Sequence, residues 1–361
     1  MTKTFFIVAT VAAFSTASAS AVTVSDFFSS FYVLGDSNSD FGNFGADGPP
    51  PPYFNGQFSN GPVWADLVDD QFQTGDPDDI RTWNYAFGGA RVTETSDIPD
   101  LPTQLEVFAA DLDPDLSDPL PGTPVLGGRP LVSIWFGAND IRSIYTDYVA
   151  AIDGTDGLAA EQRMTEIVAQ QQLAREQASY IGALYGASIA SLAQVPEIGD
   201  LLSFTTADAG LTPEYDETAD RALLSELSTL FNDALGMSLS DVEASGTNVY
   251  SIDIFQLQRE ITADPLAFGF ENATDPCLTF DLNGAVLCDT PESYLYWDEV
   301  GHLSGAAHAA LAGIVEQSVL AQLAAEEPPL APVPLPATFP ALAAGFGLLA
   351  GLRVRRKHVV I

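Results

Sequence analysis

The sequence predicts an α/β fold of three layers, in which a central parallel sheet is covered by helices on both faces. Short apolar runs typical of buried strands alternate along the chain with longer segments of helical periodicity. Strands separated by crossover helices pair in parallel, and parallel sheets are buried on both faces. The chain has 361 residues, 47% of them hydrophobic, which is enough for one large core.

These elements can be placed along most of the chain. The predicted strands are the run that ends at Gly35 and the segments 131–136, 187–192 and 248–254. The predicted helices are the segments 158–185, 218–239 and 304–325. The segment 97–128 is rich in Pro and Asp, and we expect it to be an irregular excursion at the surface.

The first strand stops abruptly at Gly35-Asp36-Ser37. A buried strand followed by a small polar turn leaves a hydroxyl at the carboxyl edge of the sheet, where open α/β sheets place their sites. Ser37 is therefore a candidate nucleophile. By itself this tripeptide is more typical of an ordinary polar turn, so the interpretation depends on the rest of the chain.

A serine hydroxyl that attacks an ester needs an imidazole to accept its proton and an acid to orient that imidazole. Two histidines, His302 and His308, precede the apolar C-terminal segment, and His358 lies beyond it. His302 is predicted on a loop at the sheet edge, whereas His308 falls among alanines in the last helix. This pattern favours His302 as the general base.

Five stretches resemble, in order, the sequence blocks of the GDSL lipase/esterase family, also called SGNH hydrolases. They are the segments 35–43, 56–65, 84–90, 137–140 and 297–302. The resemblance extends from about residue 28 to about residue 323. It implies the SGNH, flavodoxin-like version of the α/β/α fold and a serine esterase that acts on carboxylic esters through an acyl-enzyme. It implies no metal and no organic cofactor.

The resemblance also assigns residues to the oxyanion hole. The expected donors are the backbone N–H of Ser37, the backbone N–H of Gly89 and the side-chain amide of Asn139, with Gly88 as an alternative to Gly89. A glycine amide can approach a substrate closely, and a neutral amide donates without a charge. Without the other blocks, Asn139 would be interpreted as the cap of a helix that starts near Ile141.

The acid of the triad is less directly assigned, because the chain departs from the family pattern here. Family members usually carry Asp-x-x-His, whereas this chain has one residue more between Asp298 and His302. Glu299 has the family spacing, and Asp298 has the family residue type after an aromatic residue. Gly301 gives the backbone freedom to accommodate an extra residue. We therefore expect Asp298 to be the acid, with Glu299 as the alternative.

Both ends of the chain carry targeting signals. Residues 1–21 are typical of a signal peptide, 22–325 form the predicted hydrolase domain, and 326–338 form a proline-rich linker. Residues 339–361 are an apolar segment with a basic end, and together with Val-Pro-Leu-Pro-Ala337 they resemble the VPLPA variant of PEP-CTERM sorting signals. We expect an exported protein at the cell surface or outside the cell. Its tail would be bound by sorting machinery or anchored in the inner membrane as a transmembrane helix.

The composition is strongly acidic. Lys and Arg number 13 against 49 Asp and Glu, which gives a net charge of −36. The remaining body has a net charge of −39 when the charged residues of both ends are set aside, which are Lys3, Glu326, Glu327 and those of 353–357. Such a body should repel nucleic acid and anionic lipid headgroups. The expected partner is a small-molecule, lipid or glycan ester, with membrane contact only through the C-terminal segment.

Cys277 and Cys288 are the only two cysteines of the sequence. In an exported protein a near-neighbour pair predicts a disulfide rather than a metal site. Two other functions stay open at this point. One is acyl transfer to an alcohol at the same site, and the other is a surface-displayed acidic binding or adhesion module on an inactive hydrolase fold.

Overall fold

The computed structural model describes residues 22–76, 79–94, 97–112, 128–195, 198–215, 217–282 and 284–326. The predicted signal peptide, nearly all of the proline-rich linker and the apolar C-terminal segment lie outside these ranges. The chain divides into two units, 1–320 and 321–361. Of the second unit only the end of the last helix, 321–326, is described. Among the described residues, no helix combines the length and the apolar character that a membrane span requires.

The core of the fold is a five-stranded sheet in which every pairing is parallel. Its strands are β1 (Ser30–Gly35), β2 (Thr82–Asn84), β3 (Pro130–Trp135), β4 (Asp200–Phe204) and β5 (Asn248–Ile252). The strand order is β2-β1-β3-β4-β5, and helices flank the sheet. The predicted three-layer α/β/α fold is confirmed.

Seven α-helices accompany the strands in the described part of the chain. They are α1 (Trp64–Asp69), α2 (Leu101–Asp111), α3 (Ala138–Asp153), α4 (Ala160–Leu192), α5 (Thr218–Ala244), α6 (Ile254–Ala263) and α7 (Gly305–Glu326).

Burial of both sheet faces explains why the central strands are continuously apolar. All six residues of β1 and all six of β3 are buried. Neighbouring residues point to opposite faces. Tyr32 belongs to the main core cluster with Ile134, whereas Phe31 packs on Trp64 at 6.1 Å between ring centroids. Each face therefore has its own aromatic and aliphatic packing.

The predicted strand at 187–192 is wrong, because these residues continue α4. The buried positions toward the end of α4 include Gly182, Tyr185, Gly186 and Ile189, which follow a helical spacing. The two glycines lie against α5: a Cβ at Gly182 would come 2.2 Å from the carbonyl oxygen of Phe231. Close helix packing on small residues thus outweighs the strand-like composition, and the next strand, β4, begins at Asp200.

The expectation of an irregular segment at 97–128 is wrong for its first part. Residues 101–111 form α2, which buries Leu101, Gln104 and Phe108 on one face. Gln104 brackets the end of β1, since its side chain accepts from the Gly35 N–H and donates to the Gly35 carbonyl, both at 2.9 Å. Residues 113–127 lie outside the described ranges.

A second, three-stranded sheet precedes α7. It consists of β6 (Asn272–Asp281), β7 (Gly284–Leu287) and β8 (Tyr294–Asp298), in the order β7-β6-β8. Cys277 on β6 forms a disulfide with Cys288, just after β7, as predicted. The sequence pattern did not indicate this sheet, although β8 leads directly to the predicted acid.

Candidate active site

Ser37 lies in the turn that follows β1, at the carboxyl edge of the parallel sheet. Asp36 holds this turn: its Oδ1 accepts from the Asn38 N–H at 3.0 Å, and its carbonyl accepts from the Ser39 N–H at 3.0 Å. Each of these bonds joins Asp36 to a residue after Ser37, so the two bonds fix the turn that contains Ser37. The position expected from the sequence is therefore the one observed.

Asp40 ties this turn to the next sequence block. Its Oδ1 accepts from the backbone N–H groups of Gly42 and Asn43 at 2.8 and 2.7 Å. Its Oδ2 accepts from the Gly88 N–H at 2.9 Å. All three bonds are internal to the protein, so Asp40 orders the nucleophile turn.

His302 is presented by a short loop at the end of β8. The Gly301 N–H donates to the Asp298 carbonyl at 3.0 Å, and the Trp297 N–H donates to the His302 carbonyl at 2.7 Å. Gly301 has a φ of +93°, a region that favours glycine. The loop thereby accommodates the extra residue between Asp298 and His302.

The three predicted triad residues form one hydrogen-bonded chain. His302 Nε2 lies 3.0 Å from Ser37 Oγ, and His302 Nδ1 lies 2.7 Å from Asp298 Oδ2. Asp298 Oδ1 also accepts from the His302 N–H at 3.1 Å. Glu299 is exposed and Asp298 is 2% exposed, so the geometry favours Asp298 over its alternative.

A fourth residue, Tyr53, joins this chain. Its hydroxyl donates to Asp298 Oδ2 at 2.8 Å. Burial alone would raise the pKa of Asp298, but the hydrogen bonds and charge of His302 and the Tyr53 hydroxyl outweigh it and hold that pKa below its usual range. Burial and the neighbouring Asp298 raise the pKa of Tyr53. Tyr53 is therefore a neutral donor to an ionised acid.

The two glycines proposed for the oxyanion hole differ in their hydrogen bonding. The Gly88 N–H is taken by Asp40, whereas the Gly89 N–H makes no hydrogen bond within the described ranges. Gly89 has a φ of +83°, and a Cβ there would lie 2.9 Å from Ile98. This arrangement favours Gly89, although Gly89 does not line the cleft that contains Ser37.

Asn139 lies in the first turn of α3 and lines the cleft together with Ser37 and His302. Its Nδ2 donates to the Ala90 carbonyl at 3.1 Å, which leaves its second amide hydrogen for another acceptor. The N-cap of α3 is Gly137. The interpretation of Asn139 as a helix cap is therefore wrong.

His308 is fully buried in α7 and takes no part in the chain of hydrogen bonds to Ser37. Its Nδ1 accepts from the Trp64 N–H at 3.2 Å. Burial, together with the charge of His302, lowers the pKa of His308 to about 3. His308 is thus a neutral core residue that binds α7 to α1.

Sequence reasoning did not single out Tyr53 or Phe58. The Phe58 ring packs on the imidazole of His302, with centroids 5.2 Å apart, and a Cβ on Gly88 would collide with that ring. Nearby, Asn60 Oδ1 accepts from the Gly305 N–H at 2.7 Å and holds the start of α7. Phe58 and Asn60 belong to the 56–65 block and could be found through it, whereas Tyr53 lies just outside any block.

Two further carboxyls near the nucleophile turn are buried. Burial raises the pKa of Asp36 to about 6, against the hydrogen bonds from Asn38 and the charge of His302. Burial raises the pKa of Asp140 to about 7, and Asp36 adds to that rise. Asp140 accepts from the Val92 N–H at 3.0 Å. These carboxyls lie beside Ser37 and Asn139 in sequence and stabilise turns.

A cleft opens over Ser37 and His302, with an empty volume of about 810 Å³ including the space open to solvent. Most of its lining side chains are apolar, and Arg142 and Glu214 form an ion pair at its edge. No group of three or more His, Cys, Asp or Glu side chains in the described ranges is arranged to hold a metal ion. The cleft presents the Ser37 hydroxyl, the His302 imidazole and the Asn139 amide, and Asp298 lies behind the imidazole.

A serine, a histidine and a carboxylate joined at the carboxyl edge of an α/β/α sheet are the arrangement found in serine hydrolases, and the family match makes the class an ester-hydrolysing one. The model of the family of GDSL-like lipases/acylhydrolases matches residues 31–315, and the chain belongs to that family.

The chain is also similar in structure to an extracellular lipase from Streptomyces rimosus. The identity is 16%, the match covers 79% of this chain and 99% of the lipase, and the TM-score is 0.39. Comparison with curated proteins finds no match.

Proposed function

We propose that this protein is an exported esterase or lipase in which Ser37 is the nucleophile, His302 the general acid and base, and Asp298 the orienting acid. The observation that carries the proposal is the chain of hydrogen bonds of 3.0 and 2.7 Å from Ser37 through His302 to Asp298. Distances in this range are those over which a base accepts a proton from a nucleophile.

The reaction has two halves. Ser37 Oγ attacks the ester carbonyl carbon while His302 Nε2 accepts its proton. The bond to the alcohol oxygen then breaks, His302 returns the proton to the departing alcohol, and the acyl group stays on Ser37 as an ester. Water repeats the sequence with His302 as base, which releases the acid and restores Ser37. Asp298 stabilises the imidazolium in both halves.

Each tetrahedral intermediate places a negative charge on the former carbonyl oxygen. The proposed donors to that oxygen are the backbone N–H groups of Ser37 and Gly89 and the second amide hydrogen of Asn139. The hydrogen bond from Asn139 to Ala90 supports this grouping, because it ties the Asn139 side chain to the turn that carries Gly89. Donors fixed in advance lower the barrier without reorganisation during the reaction.

Export is supported by the Cys277–Cys288 disulfide, since disulfides persist in oxidising compartments. The signal peptide and the sorting tail remain proposals from sequence. Small-molecule esters are the substrate class that the family supports.

The test is hydrolysis of p-nitrophenyl acetate, butyrate and decanoate by the purified protein without its first 21 residues. We expect turnover, loss of turnover in Ser37→Ala by several orders of magnitude, and an unchanged melting temperature in that variant. Product analysis in the presence of an added alcohol separates the alternatives. Ester products in excess of free acid would indicate an acyltransferase, and absence of turnover on acetate, butyrate and decanoate alike would indicate a binding module.

A further inference from the structure

A second cavity adjoins the catalytic cleft. It has an empty volume of about 430 Å³, including the space open to solvent, and lies among α6, β8 and α7. We call it the apolar pocket; the residues that line it alone include Leu257, Ile261, Phe268, Phe270, Ala310 and Ile314. Ile254, Gln258, Leu295 and Leu303 line both the cleft and the apolar pocket. The two spaces therefore meet along these four shared residues.

Two of the shared residues are close in sequence to the proposed catalytic residues. Leu303 directly follows His302, and Leu295 lies on β8, the strand that ends at Asp298. Gln258, on α6, lines both spaces. A substrate group bound at Ser37 therefore has the apolar pocket as the neighbouring space, with these four side chains at the boundary.

Every side chain that lines the apolar pocket is apolar except Gln258. The polar atoms of Gln258 are both occupied within the protein. Its Oε1 accepts from the Asp208 N–H at 2.6 Å, and its Nε2 donates to the Tyr296 hydroxyl. The second amide hydrogen of Gln258 is then the one side-chain donor left for a ligand in the pocket, and a sugar or a charged group placed there would lose most of its hydrogen bonds to water without replacement.

We propose that the apolar pocket receives the acyl chain of the substrate, so that this enzyme acts on esters of medium-chain and longer fatty acids in preference to acetyl esters of glycans. This inference rests on the proposed function, since it places the ester carbonyl at Ser37. Beyond the carbonyl, the acyl chain of a fatty-acid ester is hydrocarbon throughout, which matches a pocket whose lining is apolar apart from Gln258.

The preference has an expected size. Each methylene transferred from water to an apolar site contributes about 0.8 kcal/mol, or about a fourfold change in an equilibrium or rate ratio. We therefore expect kcat/KM to rise by up to about fourfold per methylene as the acyl chain extends beyond the cleft. The rise should level off once the pocket is filled.

Two neighbouring alanines of α7 provide a matched test. Ala310 is half-buried and lines the apolar pocket, whereas Ala309 is exposed on the same helix and does not line it. Ala310→Phe places a ring at the pocket wall, and Ala309→Phe adds the same ring to the surface. Both variants keep Ser37, His302 and Asp298.

The experiment measures kcat/KM of the wild type and both variants for p-nitrophenyl acetate, butyrate, octanoate and decanoate below their micelle concentrations. We expect the wild type to prefer octanoate and decanoate, and the ratio of the decanoate rate to the acetate rate to fall at least tenfold in Ala310→Phe while Ala309→Phe keeps the wild-type ratio. Melting temperatures show that both variants are folded.

A wild-type rate that is flat or falls with chain length would overturn the inference, as would an equal chain-length profile for the two variants. Either result leaves ester hydrolysis itself intact. Hydrolysis of acetate that persists in Ser37→Ala would instead contradict the proposed function.

Discussion

The hydroxyl of Tyr53 donates a hydrogen bond of 2.8 Å to Asp298 Oδ2, the oxygen that lies 2.7 Å from His302 Nδ1. Tyr53 also packs edge-on against Trp297, with ring centroids 6.1 Å apart. The same apolar cluster contains the disulfide between Cys277 and Cys288. Tyr53 therefore holds Asp298 through a hydrogen bond, and the disulfide-bonded sheet holds Tyr53 through packing.

Tyr53→Phe should lower kcat by roughly tenfold and leave KM nearly unchanged. A hydrogen bond to a charged group contributes about 1.5–3 kcal/mol, and part of that bond orients Asp298 toward His302. Loss of the donor also makes the Asp298 carboxylate less stable, so the pKa of Asp298 should rise. Steady-state kinetics as a function of pH would measure both effects.

Tyr294→Phe is the matched control, because Tyr294 packs against the same apolar cluster without a hydrogen bond to Asp298. We expect its kinetics to equal those of the wild type. An unchanged kcat in Tyr53→Phe would mean that Tyr53 acts through packing alone, and equal losses in the two variants would mean that the loss does not come from the hydrogen bond to Asp298.

Asp298→Asn should lower kcat by about 10³- to 10⁴-fold, since an amide can present the wrong group to His302 Nδ1 and cannot stabilise an imidazolium by charge. Glu299→Gln should change kcat by less than about twofold, because surface substitutions away from the site have small effects. The pair of variants, assayed on one ester, discriminates between the two carboxylates. A larger loss in Glu299→Gln would assign the acid to Glu299.

His308→Ala should destabilise the protein without changing the activity of the folded fraction. The substitution leaves the buried Trp64 N–H without its acceptor, which costs about 1–3 kcal/mol, and adds a cavity. His308→Asn retains an acceptor and should recover part of the loss. Denaturant unfolding combined with active-site titration measures both quantities, and a normal stability with lost activity in His308→Ala would contradict this role.

Stability should fall as pH rises through the range in which Asp140 ionises. Its pKa is about 7 in the folded protein against an ordinary value of 3.8, so the folded state binds more protons between these values. The free energy of unfolding therefore decreases from about pH 4 to pH 7, by an amount on the order of 4 kcal/mol for this group. Asp36, whose pKa is about 6, acts in the same direction.

Asp140→Asn should make this decline shallower and raise the free energy of unfolding at pH 8 relative to the wild type. Its amide oxygen can still accept from the Val92 N–H. Asp147→Asn, at an exposed position of the same helix, is the control and should follow the wild-type curve. Parallel curves for wild type and Asp140→Asn from pH 5 to pH 8 would show that Asp140 is ionised throughout.

The sequence predicted those parts of the site that short local motifs identify. Ser37 follows a buried strand, His302 follows an aromatic-Asp pair, and each position has a motif that fixes its chemistry. Residue type and the preceding aromatic residue already favoured Asp298 over Glu299 in the sequence, and the φ of +93° at Gly301 shows how the loop accommodates the extra residue. The role of Tyr53 could not be predicted from the sequence, since Tyr53 is separated from Asp298 by 245 positions and belongs to no motif.

The errors in the fold have physical causes of the same kind. The stretch 187–192 has a strand-like composition, but small residues such as Gly182 and Gly186 favour a continuous helix packed tightly on α5. Helix α2 was hidden by its Pro- and Asp-rich surroundings, although Leu101, Gln104 and Phe108 have helical spacing. In each case tertiary packing, which composition does not report, determined the element.

The most direct test of the central claim is the site at which a fluorophosphonate probe forms its covalent adduct. A serine activated by an imidazole attacks such a probe, and an unactivated turn hydroxyl does not. Peptide mapping by mass spectrometry should find a single adduct on Ser37, absent in His302→Ala and in Ser37→Ala. An adduct on another residue, or labelling that persists in Ser37→Ala, would contradict the account.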